Sequence, residues 1–248
     1  MAWRSDGTGT PLLLIAGQAT ALTGWDPLVP TLSEAFRVIR FDHRGVGGSD
    51  DGPAGHPSTR DFAADAVSVL DAAGIERAHV YGHSMGGRIA QWLAIDYPDR
   101  VGALILAATS AGGFLGRDRD PEATRALTSG DPDQLQPLFF DAGWAAAHPE
   151  AVRTFFTSRA SPQAKRQQFR ASKEHNTQDH LGSIQGPTLI LHGTADVLTP
   201  IDNAQVLRNL IPRSTLAKVP NGRHGFHLDH PQTLDWIQQF ITRKAPQI

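Results

Sequence analysis

The residues with the clearest chemical potential lie at 81–87, where the sequence reads YGHSMGG between an apolar run and a helical pattern. A serine with a glycine two positions to either side, at a strand-to-helix turn, is typical of a nucleophile elbow. Such a turn is tight and lifts the hydroxyl of Ser84 clear of the sheet, at a helix N-terminus whose dipole favours negative charge. Because the segment lacks Gly-x-Gly-x-x-Gly and a Walker lysine, we predict a nucleophile here rather than a phosphate-binding loop.

A serine hydroxyl is a weak nucleophile, so it needs a general base that is itself oriented by an acid. Two predicted strands are each followed by a loop with a candidate, Asp196 in the first loop and His224 in the second. Asp202 and His227 are their rivals, but we expect Asp202 to begin the next helix and His227 to pack beneath its loop. The sequence therefore predicts a catalytic triad of Ser84, Asp196 and His224.

A tetrahedral intermediate also needs two N–H donors for its oxyanion. We predict one in the backbone N–H of Met85, directly after the nucleophile, and the other in the backbone N–H of Gln18, in the loop after the first predicted strand.

For a metal ion, the histidines at 224, 227 and 230 are the obvious candidates. Steps of three and three do not stay on one helix face, and a proline follows at 231, so we predict neither a metal nor another cofactor.

The composition narrows the choice of partners. The chain has 248 residues, with 23 Lys and Arg against 25 Asp and Glu, and no block of one charge sign. A nucleic-acid-binding protein normally has a basic face, and no apolar run approaches the roughly 18 residues of a membrane span. The absence of cysteine excludes disulfides and thiol catalysis. We therefore expect a cytoplasmic protein that binds neither nucleic acid nor membrane and acts on a small molecule.

Short apolar runs alternate with helical patterns, which indicates a mostly parallel sheet covered by helices. The predicted strands are 12–16, 37–41, 79–82, 103–108, 188–192 and 215–219. Helices are predicted over 61–73, from Ser84 to Pro98, and from Pro231 onwards. Most of the strands are apolar without alternation, as expected when both faces of the sheet are buried.

This rhythm stops between the fourth and fifth predicted strands, where charges and aromatic residues replace the buried runs. We predict a helical cap over 111–184 on a core formed by 1–110 and 185–248. Five aromatic residues are candidates for the substrate pocket: Trp25, Phe114, Phe139, Phe140 and Trp144. The alternative is that the cap aromatics only anchor the insertion to the core.

In this order the motifs resemble the α/β-hydrolase superfamily over nearly the whole chain. The resemblance rests on residues 14–18 and 41–49, the elbow, the Asp196 segment and residues 222–224. Within the superfamily the chain is most similar to the group of esterases, 3-oxoadipate enol-lactonases and cofactor-free haloperoxidases with a short cap. That resemblance implies hydrolysis of a carboxylic ester or lactone through an acyl-enzyme, and a structural turn at 41–49.

The chain departs from this pattern at two places. The first-strand loop reads Ala16-Gly17-Gln18 where many relatives have His-Gly, which leaves the backbone donor intact. About ten residues precede the first predicted strand, where relatives usually have a longer β-hairpin. We therefore expect the first edge strand to be missing or the chain to be trimmed. Either would affect stability or dimerisation, and the sequence leaves open whether the protein forms a homodimer.

Other functions use the same fold. The triad also fits hydrolysis of a C–C bond, perhydrolysis, or a biosynthetic cyclisation or acyl transfer, and a non-catalytic ligand-binding protein is a further alternative, since fold does not imply function. Dehalogenases and soluble epoxide hydrolases have an aspartate at the elbow, so Ser84 argues against both.

Overall fold

The computed structural model describes residues 1–157 and 159–245. Its centre is a seven-stranded sheet in the order β1-β3-β2-β4-β5-β6-β7. The strands are β1 (Trp3–Asp6), β2 (Thr10–Ile15), β3 (Phe36–Phe41), β4 (Ala78–His83), β5 (Val101–Ala107), β6 (Thr188–Gly193) and β7 (Ser214–Val219). All neighbouring strands are parallel except β1, which is antiparallel to β3. The predicted mostly parallel sheet and its six strands are confirmed, with ends that differ by up to two residues.

Helices cover both faces of the sheet. They are α1 (Val29–Leu32), α2 (Thr59–Ala72), α3 (Met85–Asp96), α4 (Pro121–Ser129), α5 (Pro132–Phe139), α6 (Ala142–Ala147), α7 (Pro149–Phe156), α8 (Pro162–Lys173), α9 (Asp202–Leu210), α10 (Phe226–Asp229) and α11 (Gln232–Lys244). Short 3-10 helices occupy Leu22–Leu28, Pro98–Arg100 and Leu181–Ser183. None of the helices in the described part of the chain is long and apolar enough to cross a membrane.

Alternate residues of each central strand enter different cores, which is why these strands are apolar throughout. Leu12 and Leu14 of β2 belong to the core beneath α11 and the cap helices, whereas Leu13 and Ile15 belong to the core beneath α2, α3 and α9. Burial on both faces fixes the strands, and with them the loops at their C-terminal ends.

The second helix shows how local signals set an element. The Ser58 side chain accepts a hydrogen bond from the Asp61 amide, and the Asp61 side chain accepts one from the Ser58 amide, forming a capping box. Such a pair satisfies two amides that the first turn leaves unpaired. Gly74 follows the helix with a φ of +67°, a conformation that glycine adopts readily. The helix predicted over 61–73 is confirmed, and it begins two residues earlier, at Thr59.

The expectation of a missing first edge strand is wrong. Strand β1 pairs with β3 from Trp3 opposite Phe41 to Asp6 opposite Val38. It lies at the edge of the sheet, with two of its four residues exposed. An edge strand needs no continuous apolar run, so its hydropathy does not distinguish it from a loop.

The insertion between β5 and β6 is helical. Helices α4 to α8 lie there, and several of their prolines stand at the first helical position, where the missing N–H costs nothing. The end of α5 is hydrogen-bonded to the loop after β7, because the amides of His224 and Gly225 donate to the carbonyls of Leu138 and Phe139. The insertion therefore contacts the loop that carries the predicted base.

Candidate active site

Ser84 lies in the sharp connection between β4 and α3. Its φ of +57° and ψ of −117° are sterically unfavourable for a residue with a side chain. A Cβ atom on Gly82 would lie 2.3 Å from the carbonyl oxygen of Gly86, and one on Gly86 would lie 2.0 Å from that of Ile15. Both flanking positions therefore require glycine. The Ser84 amide donates to the carbonyl of Ala107 at 2.9 Å, which ties the turn to β5.

The three predicted triad residues meet at the C-terminal edge of the sheet. Nε2 of His224 lies 2.9 Å from Oγ of Ser84, and its Nδ1 lies 2.8 Å from Oδ2 of Asp196. Asp196 follows β6 and His224 follows β7, which are adjacent parallel strands. Asp202, by contrast, is exposed at the first position of α9, as predicted from the sequence.

The carboxylate of Asp196 is buried and fully engaged. Its Oδ1 accepts hydrogen bonds from the amides of Leu198 at 2.9 Å and Thr199 at 2.8 Å, while Oδ2 is bound to His224. Burial acts to raise the pKa of Asp196, but the opposing effects of His224, His192 and the Thr199 amide prevail and hold it below its ordinary value. The carboxylate is therefore ionised and orients the imidazole through Nδ1–H.

Two more histidines lie under the triad and stay neutral. His83 Nε2 donates to the carbonyl of His224 at 2.8 Å, and the ring centroids of His83 and His227 are 4.2 Å apart. Burial, followed by the charge of His224, lowers the pKa of His83 to about 3. Burial also lowers the pKa of His227 far below its usual value. Within the described chain His227 has no hydrogen bond to Ser84 or Asp196, so it supports the loop as expected of the rival histidine.

The backbone amides of Gln18 and Met85 flank Ser84 and have no hydrogen-bond acceptor among residues 1–157 and 159–245. Both residues line the cavity at Ser84. A Cβ atom on Gly17 would lie 3.3 Å from Cβ of Ser84, so the loop after β2 passes directly beside the serine. Its path is held by the ring of His43, whose Nε2 donates to the carbonyl of Ala16 at 3.1 Å. Two residues with unpaired backbone N–H groups therefore line the cavity at Ser84.

Ser84 lines a small pocket, and a larger cavity adjoins that pocket through shared lining residues. The catalytic pocket has a volume of about 40 Å³ and the neighbouring recognition cavity one of about 610 Å³. Both are lined by Gln18, Arg88, Arg119, Ser172, Leu198 and Thr199. The larger volume is in the usual range for sites that bind small molecules.

Of the five aromatic residues predicted for the substrate pocket, the structure brings one to the serine. Phe139 lines the catalytic pocket, with its ring perpendicular to that of His224 at a centroid distance of 5.0 Å. Phe140 is completely buried behind it, and Trp144 stacks on His148.

The other two predicted pocket residues also lie away from the cavities. Trp25 packs in the core against Tyr81, and the Phe114 side chain is 87% exposed. Aromatic type marks packing surfaces as well as pockets, and the sequence does not distinguish the two.

Sequence reasoning missed two cavity residues with strong charge, Arg88 and Arg119. A signal for the first was present, because Arg88 is the only charged residue of the sequence between positions 85 and 95 and follows Ser84 by four residues. No signal marked Arg119 among the many charges of the insertion.

The comparisons with known proteins agree with this architecture. The family model for the alpha/beta hydrolase fold matches residues 10–231. Since this span is most of the chain, the protein belongs to the α/β-hydrolase family, and it is an α/β-hydrolase enzyme.

Particular relatives are similar over nearly their full length. A protein from Azorhizobium caulinodans named "Putative carbamate hydrolase RutD" is 32% identical over 92% of this chain and 89% of its own. A thermophilic esterase from Thermogutta terrifontis has a TM-score of 0.80 at 26% identity, covering 96% of this chain and 93% of its own. The enol-lactonase from Burkholderia xenovorans LB400 has a TM-score of 0.84 at 24% identity, covering 98% and 96%, and shows the same fold.

Proposed function

We propose that the protein is a serine hydrolase that cleaves a carboxylic ester or lactone through an acyl-enzyme. One observation carries the proposal: a continuous hydrogen-bonded chain runs from Oγ of Ser84 through His224 to the buried carboxylate of Asp196. The pairing of nucleophile, base and orienting acid is what acyl transfer requires. The similarity to the Thermogutta terrifontis esterase supports ester chemistry.

In the first half of the reaction, Nε2 of His224 removes the proton of the Ser84 hydroxyl as Oγ attacks the carbonyl carbon. The carbonyl oxygen becomes an oxyanion, and the amides of Gln18 and Met85 donate hydrogen bonds to it. The intermediate collapses as the C–O bond to the alcohol breaks, and the imidazolium returns its proton to the departing oxygen. Asp196 stabilises the transient imidazolium.

In the second half, His224 removes a proton from water, and the resulting oxygen nucleophile attacks the acyl-enzyme. The second tetrahedral intermediate releases the carboxylic acid as the bond to Oγ breaks and Ser84 regains its proton. The net change is addition of one water across the ester bond. In a lactone the alcohol and the acid remain in one product.

The test is turnover of p-nitrophenyl acetate, butyrate and octanoate by the wild type, Ser84→Ala and Ser68→Ala. Ser68 is exposed on α2, with its hydroxyl bonded to the Ala64 carbonyl, and serves as the matched control. We expect turnover in the wild type and Ser68→Ala and its loss in Ser84→Ala. A fluorophosphonate probe should label Ser84 in the wild type. Turnover that survives in Ser84→Ala contradicts the proposal, and labelling without turnover of any ester favours C–C bond or biosynthetic chemistry.

A second candidate is carbamate hydrolysis, which the similarity to the carbamate hydrolase RutD from Azorhizobium caulinodans favours. Ser84 would attack the carbonyl of a carbamate ester and release the alcohol, and water would then cleave the carbamoyl-enzyme to a carbamic acid, which breaks down to CO2 and an amine. Comparing p-nitrophenyl N-methylcarbamate with p-nitrophenyl acetate distinguishes the two candidates. Repeated turnover of the carbamate with the larger kcat/KM would replace the ester proposal, whereas a single burst of p-nitrophenol would leave it in place.

A further inference from the structure

The recognition cavity is basic, although the whole chain has a net charge of −2. Among the residues that the structure describes, its charged lining consists of Arg88, Arg117, Arg119, Arg125 and Lys173 against one carboxylate, that of Asp118. His175 also lines it, but burial lowers the pKa of that histidine far below its usual value, so it adds no charge. A cavity with this excess of cations attracts anions.

Arg88 reaches this cavity from the helix that begins at the nucleophile. It lies one turn after Ser84, to whose carbonyl its amide donates at 3.3 Å. Its guanidinium donates to two neutral oxygens, the Ser172 carbonyl and, at 3.1 Å, the hydroxyl of Ser110. The buried Nε has no partner in the described chain. Burial and the charge of Arg119 lower the pKa of Arg88 to about 10, so it is still protonated at neutral pH.

Arg119 reaches the same place from the connection between β5 and α4. It lines both cavities, and in the part of the chain that the structure describes it has no salt bridge and no side-chain hydrogen bond. Burial lowers the pKa of Arg119, against the charges of Asp196 and Asp118. Two guanidinium groups from different elements therefore line one space beside the serine, and no carboxylate of residues 1–157 and 159–245 is bound to either.

We propose that Arg88 and Arg119 together bind a carboxylate on the substrate, so that the preferred substrate is an ester or lactone that carries a second, ionised acid group. The inference rests on the proposed hydrolase function and names its substrate class. A planar guanidinium presents a fork of N–H donors that matches a carboxylate. Two partly desolvated cations without a counter-ion are costly unless a ligand supplies the charge.

The test compares two chromogenic esters of equal chain length, mono-4-nitrophenyl adipate and 4-nitrophenyl methyl adipate, which differ by one carboxylate charge. For the wild type we expect kcat/KM to be about 10-fold higher for the charged ester, the scale of one charge-assisted hydrogen bond. In Arg119→Gln and Arg88→Gln this ratio should fall towards one. Arg166→Gln, on an exposed position of α8 outside both cavities, should keep the wild-type ratio.

The ratio within each variant separates recognition from packing. If Arg88→Gln and Arg119→Gln lower kcat/KM equally for both esters, the arginines are structural and the inference is wrong. A wild-type ratio near one, with good turnover of the neutral ester, also overturns it and leaves the hydrolase proposal intact.

Calorimetry keeps the inference testable if neither ester is cleaved, which would contradict the hydrolase proposal. Ser84→Ala protein should bind monomethyl adipate more tightly than dimethyl adipate. The double variant Ser84→Ala, Arg119→Gln should lose that preference. Equal binding of the two compounds by the Ser84→Ala protein would overturn the inference without any reference to turnover.

Discussion

The catalytic pocket and the recognition cavity share a wall but are built differently. The pocket of about 40 Å³ is lined by the loops after β2, β4, β6 and β7 together with residues of the insertion, and its triad side chains are hydrogen-bonded to one another. The recognition cavity of about 610 Å³ lies against the insertion, and in the described chain two of its guanidinium groups, those of Arg88 and Arg119, have no acidic partner. In the first region the protein completes its own network, whereas in the second it leaves charge for a ligand to complete.

This difference assigns the chemical reaction to the catalytic pocket and the choice of substrate to the recognition cavity. A triad works because each member holds the next in place, so its donors and acceptors must be satisfied before substrate arrives. Specificity needs the opposite, because a group that the protein has already paired contributes little to binding. Arg88 belongs to both regions, since it follows Ser84 by one turn and lines the larger cavity. We expect changes in the first region to abolish turnover and changes in the second to redirect it.

The largest effect should come from Asp196→Asn. The amide keeps the size of the side chain but removes the charge that holds Nδ1–H of His224, so we expect kcat to fall by about 10⁴-fold. Steady-state turnover of p-nitrophenyl butyrate measures it. Asp202→Asn, on the exposed start of α9, is the matched control and should retain wild-type kcat. Equal losses in the two variants would show that the acid of the triad is misassigned.

The next largest effect should come from Phe139, the aromatic residue of the insertion that lines the catalytic pocket. Phe139 is buried against Phe155 and His224, so Phe139→Ala should lower the free energy of unfolding by about 3–5 kcal/mol. Phe114→Ala removes the same ring from a site that is 87% exposed, and its effect should stay within about 0.5 kcal/mol. Urea denaturation of both variants checks the pair, and similar losses would contradict the described packing.

A smaller effect appears in the pH dependence of stability. The folded-state pKa of His83 is about 3, because burial and then the charge of His224 disfavour its protonation. The unfolded chain therefore binds the extra proton first, and stability is lost as pH falls from about 6.5 towards 3, by at most about 1.4 kcal/mol per pH unit. Urea titrations between pH 7 and 4.5 should show a shallower dependence for His83→Gln. His148→Gln, on an exposed cap residue, should keep the wild-type slope; a slope unchanged in both variants would mean that His83 is not the group responsible.

The smallest effect that we expect is the dependence of kcat/KM on salt concentration, which should differ between the two regions. Attraction between the recognition cavity and a substrate carboxylate is screened by ions, so raising NaCl from 50 to 500 mM should lower kcat/KM for mono-4-nitrophenyl adipate by about threefold. The methyl ester has no charge to screen and should be unaffected. Parallel falls for both esters would assign the salt effect to the catalytic pocket instead.

Much of the fold was predictable because its signals are local. The six central strands are apolar on both faces, and the cap of α2 is a pair of residues three positions apart. The edge strand Trp3–Asp6 was missed because half of it faces solvent. For the candidate site, glycines on either side of Ser84 and loops after successive strands indicated which side chains would meet.

The sequence by itself determined that the sheet is mostly parallel, that Ser84 lies in a tight turn between a strand and a helix, and that Asp196 and His224 follow later strands. Only the tertiary structure decided which aromatic ring reaches His224 and which arginines have no carboxylate partner in the described chain. The physical reason is the sequence separation of the interacting residues, because strands, helix caps and tight turns depend on residues that are close together in the chain. A cavity, by contrast, is defined by the surfaces that remain uncovered after distant segments pack. Arg88 and Arg119, which line both cavities, come from two such separate elements.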